Sequence, residues 1–458
     1  MEQGLKTSNS QRIFLVSSNL IACKRVLDQI QSEISQPVRT HIQPCLAGLV
    51  TIQTLSWEFI RLDDNVLSLE NPMFTDLYCH KDTTLLPALA RNLWSLQLIL
   101  GSPVLTVSFG KHSHQTLKII ESMKQCLGTS NIENEIGALI LMERNYDLTT
   151  MLLTPVTYAG LLYEVLDINV GVGVLGKSQI KLDPDKDQIY GEVRDTPCSD
   201  VFPILHGKAK SLKSEQDAIQ TMKLAEMERY VATRLQKTRD MTKQLAFHIS
   251  ACQNIADVLG SDFQTLQSIE KFILEGKERR EYDHPLRCLR LLCLLSVTSD
   301  GINQNEFQTI QKLHLHAHGY QHIPLFYELQ NIGLLRCRTE NLLHKLPNWN
   351  SEWSSNAQKM RLLPNSSKQT EQKGRNCPSY VFNNAYIPVI VSIFFFEEGI
   401  TAQALNTVVN QDKEPRGGIT YAEISACRNI EKSNGIRLVL ASDSIITGNK
   451  LIQWVQEM

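Results

Sequence analysis

Glu143-Arg-Asn-Tyr-Asp147, followed after five residues by Leu153-Thr-Pro-Val-Thr-Tyr-Ala-Gly-Leu-Leu162, is the stretch on which the reading of the fold turns. It comes directly after residues 136–142, an apolar run of strand character. A charged cluster at the carboxyl end of such a strand is placed to hydrogen-bond loops crossing the sheet edge. Tyr158, just past a Thr-Pro pair, opens a helical pattern beneath it. Arg144 and Asp147 read as a structural ion pair rather than as an acid and base.

Upstream of this stretch, residues 11–16 and 57–62 read as strands and 20–30 as a short amphipathic helix. A helix over 85–100, a Gly-Ser-Pro turn at Gly101, a strand over 104–109 and a helix over 113–127 lead into the strand at 136–142. That alternation predicts a parallel sheet. Downstream, residues 196–276 change to long helices. Val231, Leu235, Leu245, Ile249, Cys252, Ala256 and Leu259 form an apolar stripe once Thr238 and Thr242 are counted in it. Such a stripe needs a partner helix, and its two polar members favour packing within a helical domain over a long coiled coil. Residues 286–297, 304–314 and 324–332 read as three further helices, the last closed by Gly333. The polar stretch 348–375 reads as a linker. A strand at 437–441 and a helix at 448–456 return to α/β character, so a helical block is inserted within an α/β domain.

A chain of 458 residues, 42% hydrophobic, holds enough apolar material for about three domains. Its 46 basic and 48 acidic residues nearly cancel, so partners are chosen by local patches rather than by a global field. The 11 cysteines include no C-x-x-C pair and read as reduced thiols. The first residues contain no signal-like apolar run. The greasiest stretch, 385–396, is interrupted by Pro388 and Ser392 and is too short to span a bilayer. The expectation is a soluble protein that meets membranes only through partners.

Gly171-Val-Gly-Val-Leu-Gly176-Lys177-Ser178 matches the phosphate-cradling pattern G-x-x-x-x-G-K-[ST] letter for letter. The chemistry needs a helix after the loop, so that backbone N–H groups face phosphate. Here Ile180 and Leu182 alternate and Asp183-Pro184 makes a turn, which predicts a β-hairpin. A nucleotide site is kept as the alternative. His314, His316, His318 and His322 place three imidazoles at i, i+4 and i+8, but Gly319 interrupts the helix and no Asp, Glu or Cys lies among them. They read as exposed or helix-terminal histidines, with no metal assigned. No nucleophile elbow or metalloprotease pair occurs, so no catalytic residue and no cofactor is assigned. Basic residues near 286–337 are few and balanced, which argues against nucleic-acid binding.

The stretch 143–162 resembles the signature of the Sec/Munc-type (SM) family, D-R-x-x-D then T-P and T-Y-x-G-L, with Glu143 in place of Asp. Matching positions are Arg144, Asp147, Thr154, Pro155, Thr157, Tyr158 and Gly160. Tyr380 to Pro388, the run 286–297, and Gly417-Gly418-Ile-Thr420-Tyr-Ala-Glu423-Ile424 agree in order, and the chain is most similar to the vacuolar protein sorting 33 branch. The resemblance implies an SM-type arch: a parallel-sheet α/β domain split in sequence by a large helical domain and preceded by a partial α/β domain. The expected division is 1–69 for partial domain one, with about half of that domain missing, and 70–195 for the first part of domain two. Residues 196–347 form helical domain three, 348–376 a linker, and 377–458 the second part of domain two. The family implies binding to SNARE proteins, a syntaxin-like chain or an assembled bundle, and to a vacuolar protein sorting 16 family subunit. It implies a cytoplasmic protein peripherally associated with late endosomes and lysosomes. Val231, Leu235, Leu245 and Ile249 are the expected partner-helix surface. The Asn- and Lys-rich residues 410–416 ahead of Gly417 depart from the apolar strand usual there.

Overall fold

The computed structural model describes residues 12–17, 24, 50–55, 57–128, 136–144, 147–219, 230, 234–260, 263–275, 285–338, 352–359, 362–363, 418–435 and 437–457. The expected helix at 20–30, apart from Lys24, lies outside them, as do Val231, Gly417 and residues 377–416. The chain divides into two compact units: residues 1–59, 84–108 and 114–141 in one, and 60–83, 109–113 and 142–458 in the other.

In the first unit, strands Arg12–Ser17 and Val50–Leu55 pair in parallel. Helix Leu86–Leu100 starts with Pro87 in its first turn, where the missing N–H costs nothing, and stops at Gly101, whose φ of 85° suits glycine. It buries Leu86, Ala90 and Leu93 on one face. Strands Leu105–Phe109 and Ala138–Met142 pair in a sheet, with helix Lys111–Leu127 between them in sequence.

The second unit contains a mixed sheet in which Leu440–Ser442 pairs in parallel with Val66–Ser68, and Ile60–Asp63 adds antiparallel. The central strand therefore joins segments far apart in sequence. Helix Tyr158–Val165 is almost fully buried and supplies Tyr158, Leu161 and Leu162 to the core. Helices Cys198–Ile219, Leu235–Leu259, Phe263–Leu274, Pro285–Thr298, Gln304–His318 and Ile323–Asn331 make up the inserted helical block. The predicted stops hold: Gly333 has φ 77° and its N–H returns to the Gln330 carbonyl. One expectation fails locally. Residues 352–359, read as linker, form helix Glu352–Lys359, which buries Ala357. Short apolar content hid it, since a two-turn helix needs only one or two inward residues.

The Gly171–Ser178 segment is a hairpin. Strands Asp167–Asn169, Val172–Leu175 and Ser178–Lys181 form an antiparallel sheet, and Gly176-Lys177 is its tight turn. Ser178 opens a strand where phosphate binding requires a helix, so the nucleotide alternative loses its geometric basis. The preceding turn is strained. Val170 has φ 52° beside Gly171 at 69°, the two positive values that a two-residue hairpin turn demands, yet a β-branched side chain fits that region poorly. Replacement of this half-exposed valine, Val170→Asn, is expected to stabilise the unit by about 1 kcal/mol, seen as a higher urea midpoint.

Candidate functional site

The signature residues lie at the meeting point of three helix starts. Glu143, just past strand Ala138–Met142, accepts the backbone N–H of Ser113 at 2.6 Å and so caps helix Lys111–Leu127. Gly110 makes this approach possible, because a Cβ there would collide with the Glu143 carboxylate. Asp147 caps helix Leu148–Leu152, accepting from the Thr150 N–H at 2.9 Å and from the Thr150 hydroxyl. Arg144 donates through Nε to the Asp147 carbonyl at 3.1 Å. Its guanidinium forks onto Glu423, with Nη1 to Oε2 at 2.7 Å and Nη2 to Oε1, and Nη1 also reaches the Gly418 carbonyl at 3.1 Å. Glu423 is itself the third residue of a capping box. It accepts from the Thr420 N–H at 2.8 Å while the Thr420 hydroxyl accepts the Glu423 N–H, fixing the start of helix Tyr421–Asn434. The two separately quoted motifs are thus one site, and the buried fork runs from Arg144 to Glu423 rather than resting on Asp147 alone.

The next stretch is equally committed to its neighbours. Gly160 lies against Pro155, so that a Cβ would press on the proline ring and on Thr157 Oγ1. Thr157 precedes helix Tyr158–Val165, and Ile424 is fully buried in the same core as Tyr158 and Leu162. Thr154 donates its N–H and hydroxyl to Glu270 at 3.0 and 2.6 Å. Arg290, fully buried, donates to Thr154, to Glu164 and to Asn449 at 3.3 Å, and lies 3.5 Å from Glu270. This knot ties helices Tyr158–Val165, Phe263–Leu274, Pro285–Thr298 and Gly448–Gln456 together. Arg290 and Glu270 escaped the sequence reading, although a lone arginine in the run Leu289-Arg290-Leu291 was the available signal.

A third chain runs from Tyr158 Oη to His248 Nδ1 at 2.8 Å and from His248 Nε2 to Asp187 Oδ2 at 2.9 Å. Its order resembles a catalytic relay, but all three residues are no more than 1% exposed, so no substrate reaches them and their role is to hold helix Leu235–Leu259.

The expected partner stripe turns inward. Leu245 is 6% exposed within the core, Ile249 packs against that core, and Leu235 is half-buried. Ala256 is exposed instead, while Phe247, Ala251 and Ile255 are buried. The helix is contacted by Cys198–Ile219 on one side and by the hairpin and helix Gln188–Val193 on others, so its buried arc exceeds a narrow seam. The histidines form a contact cluster. His314 is buried, its Nε2 lies 3.0 Å from His322 Nδ1, and its ring centroid is 4.7 Å from that of His318. Burial, with those two neighbours, pushes His314 down to about 4. The break at Gly319 is as expected, but His314 faces inward because Phe326 packs on it. Among the described residues, no group of three or more His, Cys, Asp or Glu side chains is arranged to hold a metal ion. None of the described helices is long and apolar enough to cross a membrane.

The helical block does present one apolar face. Leu313, Tyr320, Ile323 and Tyr327 are all between 48 and 64% exposed. Tyr320, Ile323 and Tyr327 recur at i, i+3 and i+7 across the turn at 320–322 and helix Ile323–Asn331, whose opposite side buries Leu325, Phe326 and Leu329.

This chain belongs to the Sec1 family, whose model matches residues 4–396. Vacuolar protein sorting-associated protein 33B of Danio rerio is 26% identical over 477 residues, covering 89% of this chain and 77% of that protein. The vacuolar protein-sorting-associated protein 33 homolog of Arabidopsis thaliana is 24% identical over 534 residues, covering 99% and 88%. The fold is that of SM proteins. The Unc18–syntaxin 1 complex from Monosiga brevicollis matches with a TM-score of 0.67 at 15% identity, over 98% of this chain and 89% of that one. The SM protein Vps45 in complex with the Qa SNARE Tlg2 matches with a TM-score of 0.66 at 14% identity, over 99% and 88%.

Two outcomes test the site. Arg144→Met leaves Glu423 buried without its cation and is expected to cost about 3–5 kcal/mol, with the Arg144→Met/Glu423→Leu double variant recovering part of the loss in a double-mutant cycle. Burial raises the Glu143 carboxyl to about 7 despite the helix N–H groups. The folded state therefore holds a proton that the unfolded chain releases near the usual carboxylate range, and this group's stabilisation is lost as pH rises from about 4.5 to about 7. Glu143→Gln is expected to remove that decline, seen as a smaller difference in urea midpoint between pH 5 and pH 8.

Proposed function

We propose that the chain is a SNARE-binding regulator of vesicle docking and fusion in endosomal and lysosomal trafficking, a protein scaffold without catalytic chemistry. The observation that carries this reading is the extent of the match: the SM architecture runs through nearly the whole chain, including the inserted helical block, and the matched neighbours include proteins held with syntaxin and a Qa SNARE. The site supports it from the other side. Arg144, Asp147, Glu423, Thr154 and Arg290 are consumed in bracing helix ends, which leaves them structural and leaves surfaces to carry the function.

The division proposed has the helical segment 196–347 carrying the partner surfaces. Within it the exposed face of Leu313, Tyr320, Ile323 and Tyr327 is assigned to a subunit of the vacuolar protein sorting 16 family, since aromatic and aliphatic side chains on an ordered helix are what an interface core uses. SNARE contact is assigned to the long helices at 198–259. Location is cytoplasmic and peripheral, at late endosomes and lysosomes.

With the full chain as bait, pull-down is expected to recover endosomal SNAREs and the vacuolar protein sorting 16 family partner. Tyr320→Asp/Tyr327→Asp is expected to reduce recovery of that partner about tenfold or more while SNARE recovery persists. Recovery of neither class by the unaltered chain would remove the proposal.

A further inference from the structure

We infer that His314, His318 and His322 form a proton-sensitive latch: while the three imidazoles are neutral they hold closed the corner between helices Gln304–His318 and Ile323–Asn331, and proton uptake opens it. The latch lies within this chain and does not depend on the partner assigned to the face beside it. The backbone of the corner is lightly held. The chain leaves the first helix at Gly319, whose φ of 100° suits glycine, and the His322 N–H reaches the Gly319 carbonyl only at 3.4 Å. The Gln321 amide adds a bond to the His318 carbonyl at 3.0 Å. The bond that ties the body of one helix to the start of the next is the imidazole pair, His314 Nε2 to His322 Nδ1 at 3.0 Å.

Such a pair needs one ring nitrogen to donate and the other to accept, which two neutral imidazoles provide. His318 stands 4.7 Å from His314 and 6.4 Å from His322, ring centre to ring centre, and the Phe326 ring lies 5.3 Å from His314. A first proton here makes an imidazolium largely shut off from water, and a second sets two donors against each other. The ionisable neighbours that act on His314 are His318 and His322. The acids of the two helices are engaged or distant: Glu328 accepts the Asn331 amide at 3.4 Å, and Glu306 lies more than two turns before His314. Lys312 is exposed, Arg338 donates to the Ser299 carbonyl at 3.5 Å, and the Cys337 sulfur takes the Gln330 amide at 3.7 Å. Lys450, on the helix packed against Ile323–Asn331, lies over the Tyr163 ring at 5.8 Å. His322 is also the N-cap of helix Ile323–Asn331, where the positive end of the helix dipole disfavours a cation.

Burial, followed by its two imidazole neighbours, holds His314 at about 4, and burial with His318 lowers His322 as well. In the open corner His314 returns to the ordinary imidazole value of 6.5. The closed state is therefore favoured in full above about 6.5 and loses that advantage as pH falls towards about 4. For His314 alone the opening equilibrium rises about tenfold from pH 7.5 to pH 5.5. The sign is opposite to that of Glu143, which adds stability on acidification. What opens is the apolar face. Leu313 stands on the first helix, Tyr320 in the turn, and Ile323 and Tyr327 on the second helix, so the latch decides whether the four lie together.

The test is amide hydrogen exchange on the intact chain, read by mass spectrometry at pH 7.5 and pH 5.5 and corrected for the intrinsic pH dependence of exchange. Peptides covering residues 319–331 are expected to open about tenfold more at the lower pH, while helix Phe263–Leu274 of the same block shows no such rise. His314→Gln/His322→Gln, which keeps polar side chains that do not titrate, should flatten the response, and His316→Gln, an exposed imidazole on the same helix, should leave it. His322→Gln alone, at a half-buried position, serves if the double variant lowers the urea midpoint. A proton NMR titration of the imidazoles gives a second readout, with His314 assigned by the resonance lost in His314→Gln and expected to stay neutral at pH 5.5. Corner exchange unchanged between the two pH values, a pH response retained by the glutamine variant, an equal rise in helix Phe263–Leu274, or a His314 midpoint near 6.5 would each overturn the inference.

Discussion

The buried fork between Arg144 and Glu423 is the constraint on which the rest of the second unit depends. Two ions removed from water are tolerated only when each is fully hydrogen-bonded. Here the guanidinium spends its donors on Glu423, Gly418 and the Asp147 carbonyl, and Glu423 closes a capping box on its own helix. The consequence is positional: the start of helix Tyr421–Asn434 and the start of helix Leu148–Leu152 are fixed to the same side chain. With that helix anchored, the neighbouring strand Leu440–Ser442 lies beside Val66–Ser68, and Asp443 accepts the N–H groups of Met73 and Gly418 at 2.9 and 2.8 Å.

The same device recurs through the unit. Asp63 holds Arg194 and Arg428 together, Arg428 reaches Asp195 at 2.7 Å, and Arg290 gathers Glu164, Glu270 and Thr154. Apolar packing alone would let helices slide along one another, whereas forked charges have one geometry and fail outside it. The forks therefore fix the relative placement of these helices more than they add stability.

Much of this was legible in the amino-acid sequence, and the failures have physical causes. Helices 86–100 and 448–456 and the hairpin at 172–181 announce themselves through local period, Gly and Pro, so their reading needed no tertiary information. The inserted helical block was visible as a change of period. What could not be read were pairings at long separation: Glu423 as the partner of Arg144, or Asp187 and Tyr158 as partners of His248, leave no trace in local pattern. The stripe at Leu245 and Ile249 needs cover, and its polar members Thr238 and Thr242 already favour cover within a helical domain, but its spacing does not tell which helices supply it. His314 reads as exposed from its helix alone for a related reason, because Phe326, which packs on it, sits beyond the helix break.

The separation of Arg144 and Glu423 by 279 residues also has a temporal side. During synthesis at about 5–20 residues per second, roughly 15–55 s pass between the emergence of the two. Throughout that interval the earlier α/β segments carry arginine and aspartate side chains shaped for partners that do not yet exist, and a collapsed core around them would trap unpaired charge. Until Glu423 is made, Arg144 has no carboxylate of that helix to fork onto. A ribosome that stops short of Thr420 would release a chain that retains most of its apolar residues and lacks the latch that makes burying them specific.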